Sequence, residues 1–269
     1  MIELLQGDCL EVMKEIPDGS VDMVLADPPY GTTACKWDSI IDLGLMWEQL
    51  NRVIKHNGAI VMTASQPFTS VLVNSNIRFF KYEWIWEKAV GSNFATLKYQ
   101  PMKEHESVLV FSNGKHNYYP IFQKRKGSGA ERAKHKNNAA ESKTGEVSGG
   151  LKNTDRTGNY DTLRNPSSVQ YFNNREKCRG LHPTQKPVAL MEYLIKTYTN
   201  EGETVLDFTM GSGTTGVAAK NLNRQFIGID ISPEYCEMAQ QRLNNPLPII
   251  KTKNKEHQQV SLFDYVESK

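Results

Sequence analysis

The sequence predicts an α/β layer fold, helices packed on a sheet, and three observations carry that expectation. Apolar runs of strand length alternate with stretches of helical period along residues 1–111 and 182–243. One run, Val21-Asp22-Met23-Val24-Leu25-Ala26, looks like a buried strand and stops abruptly in Asp27-Pro28-Pro29-Tyr30. Asp8, Asp27, Asp207 and Asp230 all stand at strand ends, the edge where open α/β sheets bind ligands.

Taken in order, Ile2 to Leu5 reads as a short strand, followed by a helical stretch to about Glu15. Pro17-Asp18-Gly19 turns the chain into the strand that reaches Asp27. From Ser39 to Lys55 the apolar residues Leu43, Met46, Trp47, Leu50, Val53 and Ile54 keep a helical period, which Asn57-Gly58 ends. Ala59 to Thr63 is a third strand, Gln66 to Val73 a helix, Tyr82 to Trp86 a fourth strand and Ser107 to Phe111 a fifth. Periodicity fails over residues 112–180, where Lys124 to Tyr160 holds only Val147 and Leu151 as larger aliphatics and is too polar to fold tightly alone. Aromatic residues at its edges, among them Tyr171 and Phe172, are expected to pack. Order returns at His182. Pro187 suits a first helical turn, and Val188, Met191, Leu194, Ile195 and Tyr198 share one face. Thr204 to Asp207, a glycine-rich loop and a helix to Leu222 follow, then strand Gln225 to Asp230 and helix Pro233 to Leu243.

Composition narrows the class. With 269 residues the chain can bury one large domain carrying an insertion. No apolar run approaches the roughly 20 residues that span a bilayer, and Met1-Ile2-Glu3-Leu4-Leu5 enters a strand without a signal-peptide profile. Cys9, Cys35, Cys178 and Cys236 form no C-x-x-C pair. A soluble cytoplasmic protein with reduced thiols and no structural metal is expected. The net charge of +2 conceals a division: residues 112–180 hold 14 Lys+Arg against 6 Asp+Glu, the remainder 18 against 24. A basic segment on an acidic body points to a polyanion partner.

Asp27-Pro28-Pro29-Tyr30 has its own chemistry. Two prolines cannot continue a ladder and leave the backbone stiff. Asp27 then offers a carboxylate, Pro28 a free carbonyl and Tyr30 a flat ring, a set of acceptors for a planar amine beside a stacking surface. An exocyclic amine on a nucleobase is a poor nucleophile until acceptors take its hydrogens and localise its lone pair. Such a base must be flipped out of a duplex to arrive. No Pro-Cys dipeptide is present, so the nucleophile expected for methylating cytosine carbon-5 is missing.

The loop Gly211-x-Gly213-x-x-Gly216, with Asp230 at the next strand end, literally matches a dinucleotide fingerprint. A nicotinamide oxidoreductase is therefore a rival reading. Against it, Asp207 stands where a pyrophosphate would be repelled and a ligand ammonium welcomed, and only one strand follows the loop. S-adenosylmethionine fits better.

Taken together, Asp27-Pro28-Pro29-Tyr30, a basic variable segment, His182-Pro183-Thr184-Gln185-Lys186-Pro187 and Asp207-Phe208-Thr209-Met210-Gly211-Ser212-Gly213-Thr214-Thr215-Gly216 resemble the β-class amino-methyltransferases of DNA. The resemblance covers residues 1–111 and 182–243; Phe208 departs from the proline common at that place. It implies a permuted Rossmann-like S-adenosylmethionine-dependent methyltransferase fold with a mostly parallel seven-stranded sheet. Residues 1–111 would form the catalytic half, 112–180 an inserted target-recognition region, 181–243 the cofactor half and 244–269 a tail.

Carried over by residue, the resemblance assigns Asp27, Pro28, Pro29 and Tyr30 to catalysis. It gives Asp207, Gly211 and Gly213 to the methionine part of the cofactor, Asp230 to its ribose and Asp8 to its adenine, and counts Thr214 among the cofactor-binding residues. Thr184 and Lys186 would lie near the cofactor carboxylate. The aspartate form of the tetrapeptide usually accompanies adenine N6 and the serine form cytosine N4, so adenine in duplex DNA is the expected target. Cytosine N4 and an RNA substrate stay open as alternatives. In the recognition region Arg156, Arg164, Arg175 and Arg179 are candidates to read guanine. Gln259-Val260-Ser261-Leu262-Phe263 resembles the short peptide by which bacterial proteins hold the sliding clamp, through Gln259, Leu262 and Phe263. A homodimer is left open.

Overall fold

The computed structural model describes residues 1–32, 38–125, 163–175 and 185–244. Its contacts divide the chain into two units, 1–119 with 168–250, and 120–167 with 251–269. In the second unit the described part is a two-stranded antiparallel ribbon, β6 (Gln123–Lys124) with β7 (Leu163–Arg164), entered through buried Ile121 and Phe122.

The first unit is built on one sheet. Its strands are β1 (Ile2–Gln6), β2 (Val21–Ala26), β3 (Ile54–Ala64), β4 (Phe80–Lys88), β5 (His105–Phe111), β8 (Val169–Phe172), β9 (Thr204–Asp207) and β10 (Gln225–Asp230). They lie in the order β1-β10-β9-β2-β3-β5-β4-β8, and only β5 runs antiparallel to its neighbours. The chain's last two strands are thus inserted between its first two. Asp8, Asp230, Asp207 and Asp27, far apart in sequence, leave the sheet along one edge at successive strand ends.

Helices cover both faces, which is why β2 is buried along its whole length. Against one face, α1 (Cys9–Val12), α2 (Leu43–Val53) and α3 (Phe68–Ser75) bring Met46, Trp47, Leu50, Phe68 and Leu72 onto Val24, Ala26, Ile60 and Met62. The intervening residues, Met23, Leu25 and Val61, point the other way and are equally buried. On that side α4 (Val188–Tyr198) receives the Trp84 indole N–H on the Tyr198 hydroxyl at 2.7 Å. Two more helices, α5 (Thr214–Asn221) and α6 (Pro233–Asn244), flank β9 and β10. Among the described residues no helix is long and apolar enough to cross a membrane.

Three expectations are corrected. The helix expected over Ser39 to Lys55 begins at Leu43, capped by the Asp42 carboxylate on the Leu45 N–H at 3.0 Å, and yields to β3 at Ile54. Asn57-Gly58 does not end an element but lies inside β3, where the register against β2 shifts between Val21 and Met23. A side chain at Gly58 would meet Ile54 and the Asp22 carbonyl within 2.8 Å, so glycine lets the bulge close. Among the described residues the sheet also has eight strands rather than the expected seven. The eighth, Val169–Phe172, comes from within the basic segment and pairs with β4. Its alternation places only Gln170 and Phe172 inward, too short and polar a pattern to stand out in the sequence.

Candidate active site

At the end of β2, Asp27 is half-buried and every described contact of its carboxylate is specific. Oδ1 accepts hydrogen bonds from the Tyr30 hydroxyl at 2.8 Å and from the Thr63 hydroxyl; Oδ2 accepts one from Lys186 Nζ at 2.6 Å. Thr63 is wholly buried near the end of the neighbouring strand, where its hydroxyl needs a partner and finds Asp27. Pro28 is buried and Pro29 half-buried, so the carboxylate is presented by a stiff backbone. The Tyr30 ring stacks on Phe68 with centroids 5.4 Å apart and planes 22° apart, and Lys186 Nζ lies 5.5 Å from its centroid.

Lys186 is only 7 % exposed and has a second carboxylate, Glu106, at 3.4 Å. Glu106 in turn accepts a hydrogen bond from buried Lys88. Asp27, Lys186, Glu106 and Lys88 therefore form a buried chain of alternating charge. Burial opposes the charge on Lys186, but Asp27 and Glu106 outweigh it and hold its pKa above the ordinary lysine value. Burial likewise works against Glu106, and Lys186 and Lys88 outweigh that and hold its carboxyl below the usual range.

The second half of the site follows β9. Asp207 is 3 % exposed and accepts the Thr209 N–H at 3.1 Å. Burial pushes its carboxyl up to about 7, with the Asp27 and Asp230 charges adding to the effect and hydrogen bonds from Thr215 and Thr209 opposing it. Gly211 (φ 49°) and Gly213 (φ 76°) turn the loop through left-handed backbone. Asp230 organises the turn: Oδ2 accepts the Gly211 N–H and Oδ1 the Ser232 N–H, each at 2.9 Å. Arg242 of α6 pins the same loop by donating to the Ser212 carbonyl at 2.5 Å and the Thr214 hydroxyl at 3.2 Å. Asp8 caps α1, accepting the Leu10 N–H at 2.8 Å, and stays exposed at the end of β1.

Asp27, Pro28, Pro29, Tyr30, Asp207, Gly211, Gly213, Asp230 and Asp8 thus gather along one sheet edge. Two carried-over residues have partners that the resemblance did not name: Lys186 bonds the Asp27 carboxylate, and the Thr214 hydroxyl accepts from Arg242. Of the arginine candidates, Arg175 lies just beyond β8, and Arg164 lies on β7 in the other unit. Thr184, Arg156 and Arg179 lie outside the described residues, as do Gln259, Leu262 and Phe263. Thr63, Phe68, Glu106 and Lys88 were not singled out in the sequence. Thr63, a hydroxyl at the end of an apolar run, was the one with a local signal.

The donors fit S-adenosylmethionine. Asp207 is a buried carboxyl that no described cation neutralises, and a ligand's ammonium would supply the missing charge. The turn through left-handed Gly211 and Gly213 follows it in the same loop.

The chain is similar to known proteins over most of its length. A family profile described as DNA methylase, of the N6/N4 methyltransferase group, matches residues 21–241. The type II methyltransferase M.HpaI of Haemophilus parainfluenzae is 31% identical over 258 residues, which cover 90% of this chain and 74% of that protein. The DNA adenine methyltransferase YhdJ of Escherichia coli (strain K12) is 30% identical over 263 residues, 90% of this chain and 82% of its own. Among solved structures, the complex of M1.HpyAVI with SAM superposes with a TM-score of 0.60 at 28% identity, covering 90% of this chain and all of that one.

Proposed function

Because the chain belongs to the N6/N4 DNA methylase family, we propose that it transfers a methyl group to the N6 amino group of adenine in duplex DNA, with the base flipped into the Asp27 corner. It is a DNA amino-methyltransferase that uses S-adenosylmethionine. The observation that carries the reading is the pairing of strand ends: Asp27 on β2 and Asp207 on β9 leave neighbouring parallel strands on one edge, one suited to an amine and the other to an ammonium.

The chain's own residues divide the work. Asp27 and the Pro28 carbonyl accept the hydrogens of the exocyclic amine and return its lone pair to nitrogen. Tyr30, backed by Phe68, gives the base a stacking surface. Thr63 and Lys186 fix the carboxylate's direction, so its position is set before the base arrives. Asp27 then takes the proton that the methylated amine sheds. When bound, S-adenosylmethionine supplies a methyl group activated by its sulfonium. Asp207 and the Gly211-Gly213 turn hold its methionine part, while Asp230 and Asp8 serve its ribose and adenine.

Adenine is chosen over cytosine N4 on the aspartate form of the tetrapeptide, and the described adenine methyltransferase YhdJ supports it. Residues 112–180, carrying Arg156, Arg164, Arg175 and Arg179, supply the contacts to DNA, whose affinity falls steeply with salt. The test is to express the chain in cells free of DNA methylation, digest the DNA and identify the modified nucleoside, with the purified protein assayed on duplex DNA and on RNA. N6-methyladenine in DNA supports the reading; N4-methylcytosine, or modification of RNA alone, refutes it.

A further inference from the structure

Between β4 and β5 the chain leaves the sheet at the catalytic edge, and the connecting segment, residues 89–104, exposes apolar side chains in an ordered loop. Phe94, Leu97, Tyr99 and Met102 are 59 %, 41 %, 81 % and 38 % exposed within nine residues. The order comes from Asn93, whose side chain donates to the Pro101 carbonyl at 2.9 Å and accepts the Lys103 N–H at 2.6 Å, tying both arms together. A tight turn follows, with the Tyr99 N–H on the Thr96 carbonyl at 2.9 Å. Gly91 closes against Met102, which a side chain there would strike at 2.3 Å. On its flank, Asn174 clasps Val90 through both backbone groups, at 3.1 and 2.9 Å, next to exposed Arg175. The loop is therefore fixed by its own hydrogen bonds while four apolar side chains stand exposed along it, and apolar groups held in water this way mark a contact surface.

The stems say what that surface meets. β4 ends in Lys88, which bonds Glu106, the second residue of β5; Glu106 also pairs with Lys186, which bonds Asp27. The loop is thus joined through two ion pairs to the carboxylate that receives the target base. Lys98 in the tip holds its ammonium 5.8 Å from the Tyr99 ring centroid, and exposed Arg175 stands at the loop's stem, next to the Asn174 that clasps Val90. Base faces flanked by phosphates are the matching surface.

We propose that residues 89–104 form a wedge for duplex DNA, in which Tyr99 enters the base stack at the target pair while Lys98 and Arg175 take the neighbouring phosphates. This rests on the DNA-methyltransferase reading above and adds to it the group that displaces the base. Filling the stack stabilises the extruded state, so the target reaches Asp27 more often.

The full chain is compared with Tyr99→Ala and Tyr99→Phe on duplexes carrying its recognition site, either fully paired or with an abasic position opposite the target. Affinity for S-adenosylmethionine is measured by calorimetry and oligomeric state by sedimentation. Tyr99→Ala is expected to slow methylation of the paired duplex roughly tenfold or more. Tyr99→Phe is expected to keep the parent rate, and the abasic duplex to restore Tyr99→Ala to nearly that rate, with cofactor affinity unchanged throughout. Equal activity of parent and Tyr99→Ala on paired DNA overturns the wedge, as does an equal loss on both duplexes. A dimer that dissociates in Tyr99→Ala assigns the patch to a second copy and overturns it too. A parent chain that methylates neither duplex overturns the underlying reading, an outcome distinct from these.

Discussion

Lys186 Nζ lies 2.6 Å from Asp27 Oδ2, across 159 residues of sequence. The bond crosses from the segment entering α4 to the end of β2, and it gives the carboxylate a fixed counterion in a site from which water is largely excluded.

Asp27→Ala removes the acceptor on which the amine depends and touches nothing in the Gly211-Gly213 turn. Cofactor affinity by calorimetry is expected to stay within about twofold, while single-turnover methylation falls on the order of a thousandfold. Retained turnover would remove Asp27 from the chemistry.

Replacing Lys186 separates two roles. If it positions Asp27, Lys186→Met lowers kcat about 10- to 100-fold and leaves the Kd for S-adenosylmethionine unchanged. If it holds the cofactor carboxylate, as the family resemblance implies, Kd rises instead. Lys186→Met also leaves Asp27 without its buried counterion, while Glu106 keeps Lys88, so the fold loses stability. Adding Asp27→Asn is expected to recover the melting temperature without recovering activity.

Asp207 gives a pH dependence whose sign is fixed. Its carboxyl is raised from 3.8 to about 7 on folding, so the folded chain holds a proton that the unfolded chain has released. Stability of the ligand-free protein therefore falls as pH rises from about 4 to about 7 and is flat above. Asp207→Asn cancels that loss, by at most about 4 kcal/mol at pH 8 and by nothing near pH 4, read as the difference in melting temperature. In the parent, cofactor affinity rises with pH up to about 7 and then levels, because the ammonium pairs with the ionised form.

Gly213→Ala tests the turn. The backbone there has φ 76°, and an added Cβ would stand 2.7 Å from that of Ala239. A destabilisation of about 2 kcal/mol is expected, together with weaker cofactor binding by titration. An unperturbed melting curve would contradict the steric account.

Much of the candidate site's edge was legible before any fold was known, because its signals are local. A double proline after an apolar run must end a strand and stiffen the following backbone, so Asp27 could be placed from neighbouring residues alone. The Gly211-x-Gly213-x-x-Gly216 spacing marked the cofactor loop for the same reason, and the structure adds that Gly211 and Gly213 turn it through left-handed backbone. Element ends were less legible: Ile54 reads equally as the last turn of α2 and the first residue of β3, and only pairing with Val21 decides it.

Sequence by itself therefore determined the chemistry available at each strand end, since prolines, glycines and carboxylates act through their own backbone and immediate neighbours. Tertiary structure alone decided which ends stand side by side. Parallel pairing inserts β9 and β10 between β1 and β2, draws an eighth strand from the basic segment, and brings Thr63, Lys186 and Glu106 to Asp27. Those contacts join residues dozens to more than a hundred positions apart. They are selected by burial and charge balance in the assembled core, which no local period records.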